Sequence, residues 1–167
     1  TSVKVTKGVI DNCPDDEFVK IIKNKPVHKA TQFLLDNNYL GDKSGQGFYK
    51  KTDQRDEKGG RVILALDLNT LEYKPTQKVM ITVVGIAKKV EIMDKRLKEM
   101  MASDENSGHF VRDLICGIIA YASNRIPEIS DNIYSIDNAM KAGYAWTYGP
   151  FEFWDMIGIA EGAAIAK

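Results

Sequence analysis

Apolar residues recur at helical spacing along most of this chain and alternate over one short stretch. From Thr1 to Asn12, Val3, Val5, Val9 and Ile10 fit either a helix with Ser2 as its cap or a strand with Val3 and Val5 on one face. Cys13-Pro14 closes the segment in both cases. Asp15, Asp16 and Glu17 then mark a helix start, because carboxylates meet the unpaired N–H groups and positive dipole end there. Phe18, Val19, Ile21 and Ile22 give that helix an apolar side. Pro26 suits the first turn of the next helix. Val27, Ala30, Phe33, Leu34 and Tyr39 form its core-facing stripe, and Asn37-Asn38 and Gly41 end it.

The pattern then changes. Gly45 and Gly47 permit a turn that a side chain would block, and Phe48-Tyr49 is expected to pin that turn to a core. Lys50 to Gly60 is polar and reads as a loop or flexible link. Val62 to Leu66, the turn Asp67 to Thr70 and Leu71-Glu72-Tyr73 predict a β-hairpin, which needs helices to lie on. Val79 to Ala87 fits strand or helix. From Lys89 to Met101, Val90, Met93, Leu97 and Met100/Met101 share one helix face, with Lys95, Arg96, Lys98 and Glu99 opposite. Asp104 to Gly108 punctuates. His109 to Asn124 is the most apolar helix and is expected to be central. Pro127-Glu128 suits a helix restart. Ser135 caps a helix Ile136 to Ala142 stopped by Gly143, and Gly149-Pro150 opens another that Gly158 ends. An Ala-rich stretch finishes the chain. The prediction is a mainly α domain with one short β-hairpin.

Composition narrows the function. At 167 residues and 18.7 kDa, with 44% apolar and 28% charged residues, the chain is of ordinary globular make-up. Its 23 basic and 23 acidic residues cancel, which argues against a nucleic-acid partner needing a basic face. The charge is uneven, however: 11 basic and 9 acidic residues up to Gly60, 8 and 5 up to Ser103, and 4 and 9 beyond. No run is long and apolar enough to span a membrane, and no secretion signal opens the chain, so a cytoplasmic location is expected. Cys13, Cys116, His28 and His109 are each isolated, so no metal site is expected and the thiols read as reduced structural cysteines. The methionines read as core filler. A start at Thr1 and a stop at Lys167 are expected of a piece cut from a longer polypeptide. No Walker loop, GxGxxG, nucleophile elbow or HExxH occurs.

Two segments carry a resemblance. Tyr39-Leu40-Gly41-Asp42-Lys43-Ser44-Gly45-Gln46-Gly47-Phe48-Tyr49 resembles the G-x-K-[ST]-G-x-G-F-Y segment that closes the helical domain of 3-hydroxyacyl-CoA dehydrogenases. Asn124-Arg125-Ile126, then Ile136-Asp137-Asn138-Ala139-Met140 to Gly143, then Gly149-Pro150-Phe151 to Asp155 resemble the NRI, IDxAM and GPF helices of its repeat in long bacterial and archaeal members. The resemblance implies that residues 1–60 are the tail of a first helical repeat. Residues 61–103 are then a hairpin and linking helix, and residues 104–167 a second repeat.

The same resemblance implies a parent enzyme. It would oxidise 3-hydroxyacyl-CoA to 3-oxoacyl-CoA with NAD in fatty-acid β-oxidation. NAD and the catalytic His and Glu belong to an N-terminal Rossmann domain that this chain lacks, so it has no catalytic residue and no cofactor of its own and is expected to be inactive alone. Partners implied are acyl-CoA, that Rossmann domain, a fused crotonase domain in some members, and a second copy in a homodimer. Asn124 is similar to the family's helical-domain Asn and is a candidate substrate contact; a buried amide satisfied by backbone is the other reading. Lys43, beside the Gly turn, is a candidate for a CoA phosphate, against a solvated lysine. Trp146, Tyr148, Phe151 and Trp154 fit an acyl tunnel or a core. Asp137 and Asp155 fit caps and surface positions better than acid/base roles, since neither has a catalytic partner in the sequence. The structural motif is Gly45, Gly47, Phe48, Tyr49, Gly149 and Pro150. A stand-alone helical interaction module is the rival reading.

Overall fold

The computed structural model describes residues 2–77 and 79–160; the Ala-rich end lies outside them. The chain divides into two compact units, Thr1–Lys78 and Val79–Lys167. The divisions expected at Gly60 and Ser103 differ from this one, and the first falls between two paired strands.

The first unit begins with α1 (Ser2–Asn12), which settles the opening segment as helix. Asp16 caps α2 (Glu17–Ile22), its Oδ1 accepting the N–H of Phe18 at 2.8 Å and of Val19 at 3.2 Å. Helix α3 (Lys29–Asp36) starts three residues after Pro26, not at it. The cap is His28, whose Nδ1 accepts the Ala30 N–H at 3.2 Å. Ala30 and Leu34 are buried as expected, but Val27 precedes the helix and is half exposed.

The expected hairpin is part of an antiparallel sheet ordered β1–β2–β3: β1 (Tyr49–Arg55), β2 (Arg61–Leu66) and β3 (Tyr73–Pro75). Strand β1 corrects the loop reading of Lys50 to Gly60, of which only the end is a turn. Its register, Tyr49 opposite Ala65 and Lys50 opposite Leu64, comes from backbone pairing with β2, since its side chains face water almost throughout. The sheet lies on α3. Leu66 packs on Ala30 and Leu34 with Phe33, Tyr39, Leu71 and Tyr73 around them, and the Phe33, Tyr39 and Tyr73 rings meet edge to face. Asp67 holds the β2–β3 turn, accepting the N–H groups of Asn69 and Thr70 and the Lys74 ammonium, each at 2.9 Å. The Lys74 hydrogen bond, then those two N–H groups, hold its carboxyl well below the usual carboxylate range.

The second unit has five helices among the described residues: α4 (Thr82–Lys89), α5 (Met93–Ala102), α6 (Asn106–Asn124), α7 (Ile133–Tyr144) and α8 (Pro150–Ile157). Leu97 and Met101 of α5, Cys116 and Ile119 of α6 and Ile157 of α8 form the core, with Phe153, Trp154 and Met156 against it. Val90 falls between α4 and α5 instead of joining the α5 face. Burial, with a smaller push from Asp113, raises the Cys116 thiol above its ordinary range.

Helices α6 and α7 and the chain between them differ from expectation. Helix α6 begins at Asn106, so Gly108 lies inside it, because α5 and α6 meet there: a Cβ on Gly108 would stand 2.1 Å from the Ser103 carbonyl oxygen. Only one side of α6 is central; Phe110 is 66% exposed and Leu114 and Tyr121 also face outward. No helix restarts at Pro127, where the chain turns until Asn132 caps α7 by accepting the Ser135 N–H at 2.9 Å. Helix α7 runs through Gly143 and ends at Ala145, in the left-handed region at φ 54°.

Gly108→Ala should therefore cost about 1–3 kcal/mol, the usual range for overpacking. In thermal unfolding followed by tryptophan fluorescence, which reports the second unit through Trp146 and Trp154, the variant should melt earlier. An unchanged melting temperature would contradict the close approach of α5 and α6.

Candidate functional site

The residues singled out by sequence gather at two places, one in each unit. In the second unit the α7–α8 corner is built around a helix start that lacks its own cap. Pro150 at the first position of α8 has no N–H to satisfy, and Gly149 before it has no side chain to offer as a cap. Asp137, one turn into α7, supplies it. Its Oδ1 accepts the Phe151 N–H at 2.9 Å and its Oδ2 the Glu152 N–H at 3.2 Å. The carboxylate is 5% exposed and sits at the positive end of α8.

Glu152 closes the other half. Its Oε2 accepts the Gly149 N–H at 2.7 Å, and its Oε1 accepts the Lys141 ammonium at 2.6 Å. Lys141 stands one helical turn after Asp137, so one face of α7 grips the first turn of α8 twice. The Lys141 hydrogen bond, then the Gly149 N–H, lower the Glu152 carboxyl below its ordinary value. The corner is tight: a Cβ on Gly149 would lie 2.2 Å from Asp137 Oδ1. The aromatic rings pack on one another. Trp146 and Tyr148 meet Phe153 edge to face, and Phe151 stacks on Trp154. Asp137 is thus a cap, as its sequence context favoured, and Asp155 is exposed.

In the first unit, Gly41 to Tyr49 folds into a compact turn. Gly45 sits at φ 82°, and a Cβ on Gly47 would lie 2.9 Å from the Gly41 Cα, so both glycines are required there. Phe48 and Tyr49 do not pin this turn to a core; they are 48% and 64% exposed. The Tyr73 hydroxyl does, donating to the Gly47 carbonyl at 2.5 Å from 26 residues away. Ser44 Oγ accepts the Leu40 N–H at 2.7 Å. The N–H groups of Ser44, Gly45 and Gly47 are spent on carbonyls of Gly41, Asp42 and Tyr49. Lys43 stands exposed at the turn. Asn124, in the other unit, closes α6 with an exposed side chain, so it is not the buried amide of the alternative reading.

Neither place has the makings of a reaction centre. His28 is spent as a helix cap. His109 lies between the Asp104 carbonyl, to which Nε2 donates at 3.0 Å, and Arg112, whose guanidinium donates to Nδ1 at 3.1 Å. Among the described residues no three His, Cys, Asp or Glu side chains are grouped to hold a metal ion. The residues present do not fit NAD either. A dinucleotide pyrophosphate needs a strand, a glycine turn and a helix N-terminus in sequence, whereas Gly45 and Gly47 lead into strand β1 of an antiparallel sheet. No helix among the described residues is long and apolar enough to cross a membrane. Tyr73, Lys141 and Glu152 were missed from sequence. Only the last two left a signal: Glu three residues after Gly149, as in a capping box, and Lys four residues after Asp137.

Fold and site together define a mainly helical chain whose α7–α8 corner is held by side-chain caps. Its relatives say where such a segment occurs. The chain is 32% identical over 166 residues, 98% of its length, to the probable 3-hydroxyacyl-CoA dehydrogenase of Bacillus subtilis (strain 168), covering 19% of that protein. It is 33% identical over 138 residues to the putative fatty acid oxidation complex trifunctional enzyme of Rickettsia felis, 83% of this chain and 17% of the relative. The protein of the same name in Rickettsia prowazekii is 30% identical over 149 residues, 89% and 18% of the two chains. The chain thus spans about a fifth of the length of the curated relatives it matches. No protein-family model and no solved structure matches it. The resemblance read from Tyr39–Tyr49 and Asn124–Asp155 is borne out as a likeness: 98% of the chain is similar to one segment of a probable 3-hydroxyacyl-CoA dehydrogenase.

Two outcomes test the corner. Gly149→Ala should destabilise the second unit in chemical denaturation, because the new methyl group displaces the Asp137 carboxylate from two N–H groups; an unchanged midpoint would refute the contact. Because the Glu152 carboxyl is lowered on folding, its contribution is complete above the unfolded carboxylate range. That contribution is lost as pH falls through the folded value. Glu152→Gln should accordingly flatten the acid limb of the stability–pH curve, and an identical limb in the variant would rule the linkage out.

Proposed function

We propose that this chain is the C-terminal helical part of a longer NAD-dependent 3-hydroxyacyl-CoA dehydrogenase that acts in fatty-acid β-oxidation. The observation that carries this reading is the match of 98% of the chain to 19% of a protein named for that activity. In this reading the hydride and proton transfers take place on a separate Rossmann domain, and none is routed through residues 1–167. The helical part closes over acyl-CoA, excluding water and holding substrate in line with the cofactor. A braced corner such as α7–α8, where Asp137 and Glu152 hold the start of α8, suits that task, because a loose wall would not hold a substrate in register. Lys43 and Asn124 are the positions where the reading places contact with acyl-CoA, and α6 offers an apolar face for a second copy.

The first test is the size of the native protein, by immunoblot with an antibody raised to this chain. A band far above 18.7 kDa is expected. The longer protein should then form NADH from NAD and 3-hydroxybutyryl-CoA, while residues 1–167 alone should form none. A band near 18.7 kDa would overturn the reading in favour of a stand-alone helical interaction module.

A further inference from the structure

The middle of strand β1 is only loosely committed to its neighbour. Lys51 stands opposite Ile63 and Arg55 opposite Arg61, so Thr52, Asp53 and Gln54 face the single residue Val62. A bulge of this kind interrupts the ladder. Thr52 reaches β2 through its side chain, Oγ1 donating to the Val62 carbonyl at 2.9 Å. On the far edge Gln46 bridges to Lys50, and from Lys51 onward that edge has no strand partner among the described residues. Lys51, Asp53, Gln54 and Arg55 are all exposed. Lys51 pairs with Asp42 at 3.1 Å, a surface contact that constrains it little.

This edge is complementary to itself. Two antiparallel strands related by a two-fold axis set residues of the same face opposite one another. With the axis at Thr52, the midpoint of the seven-residue strand, Lys51 falls opposite Asp53 of the second copy, and Asp53 opposite its Lys51. The neighbouring registers fail. An axis at Lys51 sets two ammonium groups face to face. One at Asp53 sets two carboxylates together and Lys51 against Arg55.

We propose that β1 pairs antiparallel with β1 of a second copy of this chain, centred on Thr52 and locked by two Lys51–Asp53 ion pairs. Charge complementarity selects this occupant. A strand without matching charges would strip water from Lys51 and Asp53 and give nothing back, so the edge rejects strands in general and accepts this one. Pairing occupies the free β1 edge of both copies, joining two three-stranded sheets without leaving a further β1 edge to extend. The contact is separate from the apolar face of α6, and it holds whether or not the chain belongs to a longer dehydrogenase. It is small beside the roughly 1,200–2,000 Å² that a stable interface buries, so the pairing is weak and grows with concentration.

Sedimentation equilibrium tests this on the 167-residue chain, and on the longer protein where the immunoblot finds one, with circular dichroism confirming that each variant is folded. Lys51→Glu and Asp53→Lys should each weaken self-association at least tenfold, because each sets two pairs of like charges across the axis. An equimolar mixture of the two single variants should associate as the unaltered chain does, since Glu at 51 then meets Lys at 53 and Asp53 meets Lys51. The double variant, with both charges exchanged, should also associate normally. Association that neither single variant weakens would place the second copy on another face, such as α6, and overturn the proposal. A mixture that fails to recover would overturn it as well, and so would an unaltered chain that gains no mass up to about 1 mM. If a single variant fails to fold, the double variant decides: loss of association in a folded double variant overturns the proposal.

Discussion

The second unit depends on a carboxylate placed where a helix begins without a cap of its own. A helix start leaves several N–H groups without intrahelical partners, and burying them unpaired costs about 1–3 kcal/mol each. Gly149 and Pro150 make the problem acute, since neither residue brings a capping side chain. Asp137 answers it from the neighbouring helix, and Glu152 with Lys141 locks the arrangement from the other side. Once α8 is seated, Phe153, Trp154 and Ile157 meet α5 and α6 as one core. The polar brace and the apolar core are therefore one structure: without the brace, α8 would have no defined position from which to bury its aromatic side.

The first unit solves a similar problem with less core. Its turn at Gly41 to Tyr49 closes on itself by backbone bonds and is tied down by the Tyr73 hydroxyl. The anchoring aromatic comes from a strand far along the chain, and the neighbouring Phe48 and Tyr49 are left outward. Substitution at Tyr73 would thus reach the glycine turn as well as the sheet.

Legibility in sequence followed the physical range of each interaction. The helix announced by Asp16 was readable because cap and helix are adjacent, and the one announced by Gly149-Pro150 because proline is pre-set for a first helical position. So was the β2–β3 hairpin, whose turn chemistry at Asp67 is local. Strand β1 was not readable, since it is selected by hydrogen bonds to β2 and not by an apolar face. The start of α7 was misplaced by three residues, because Asn132 and Ser135 are both acceptable caps and only packing chooses between them. Of the site, Asp137 was legible as a cap but its partner helix was not: the 14-residue span to Phe151 is a tertiary fact. The family was legible from the Gly45–Tyr49 segment and the Asn124–Asp155 helices, whose order no local rule would generate.

Strand β1 also bears on how this molecule behaves in crowded solution. It pairs with β2 on one side, and beyond the Gln46–Lys50 bridge its other edge has no strand partner among the described residues. Such an edge invites edge-to-edge recruitment of further strands, the first step of many aggregates. The residues that disguised the strand as a loop, Lys50, Lys51, Asp53 and Arg55, are the kind that deter this, because a docking neighbour would have to desolvate them. A strand that does not look like one is here a strand protected against its own chemistry.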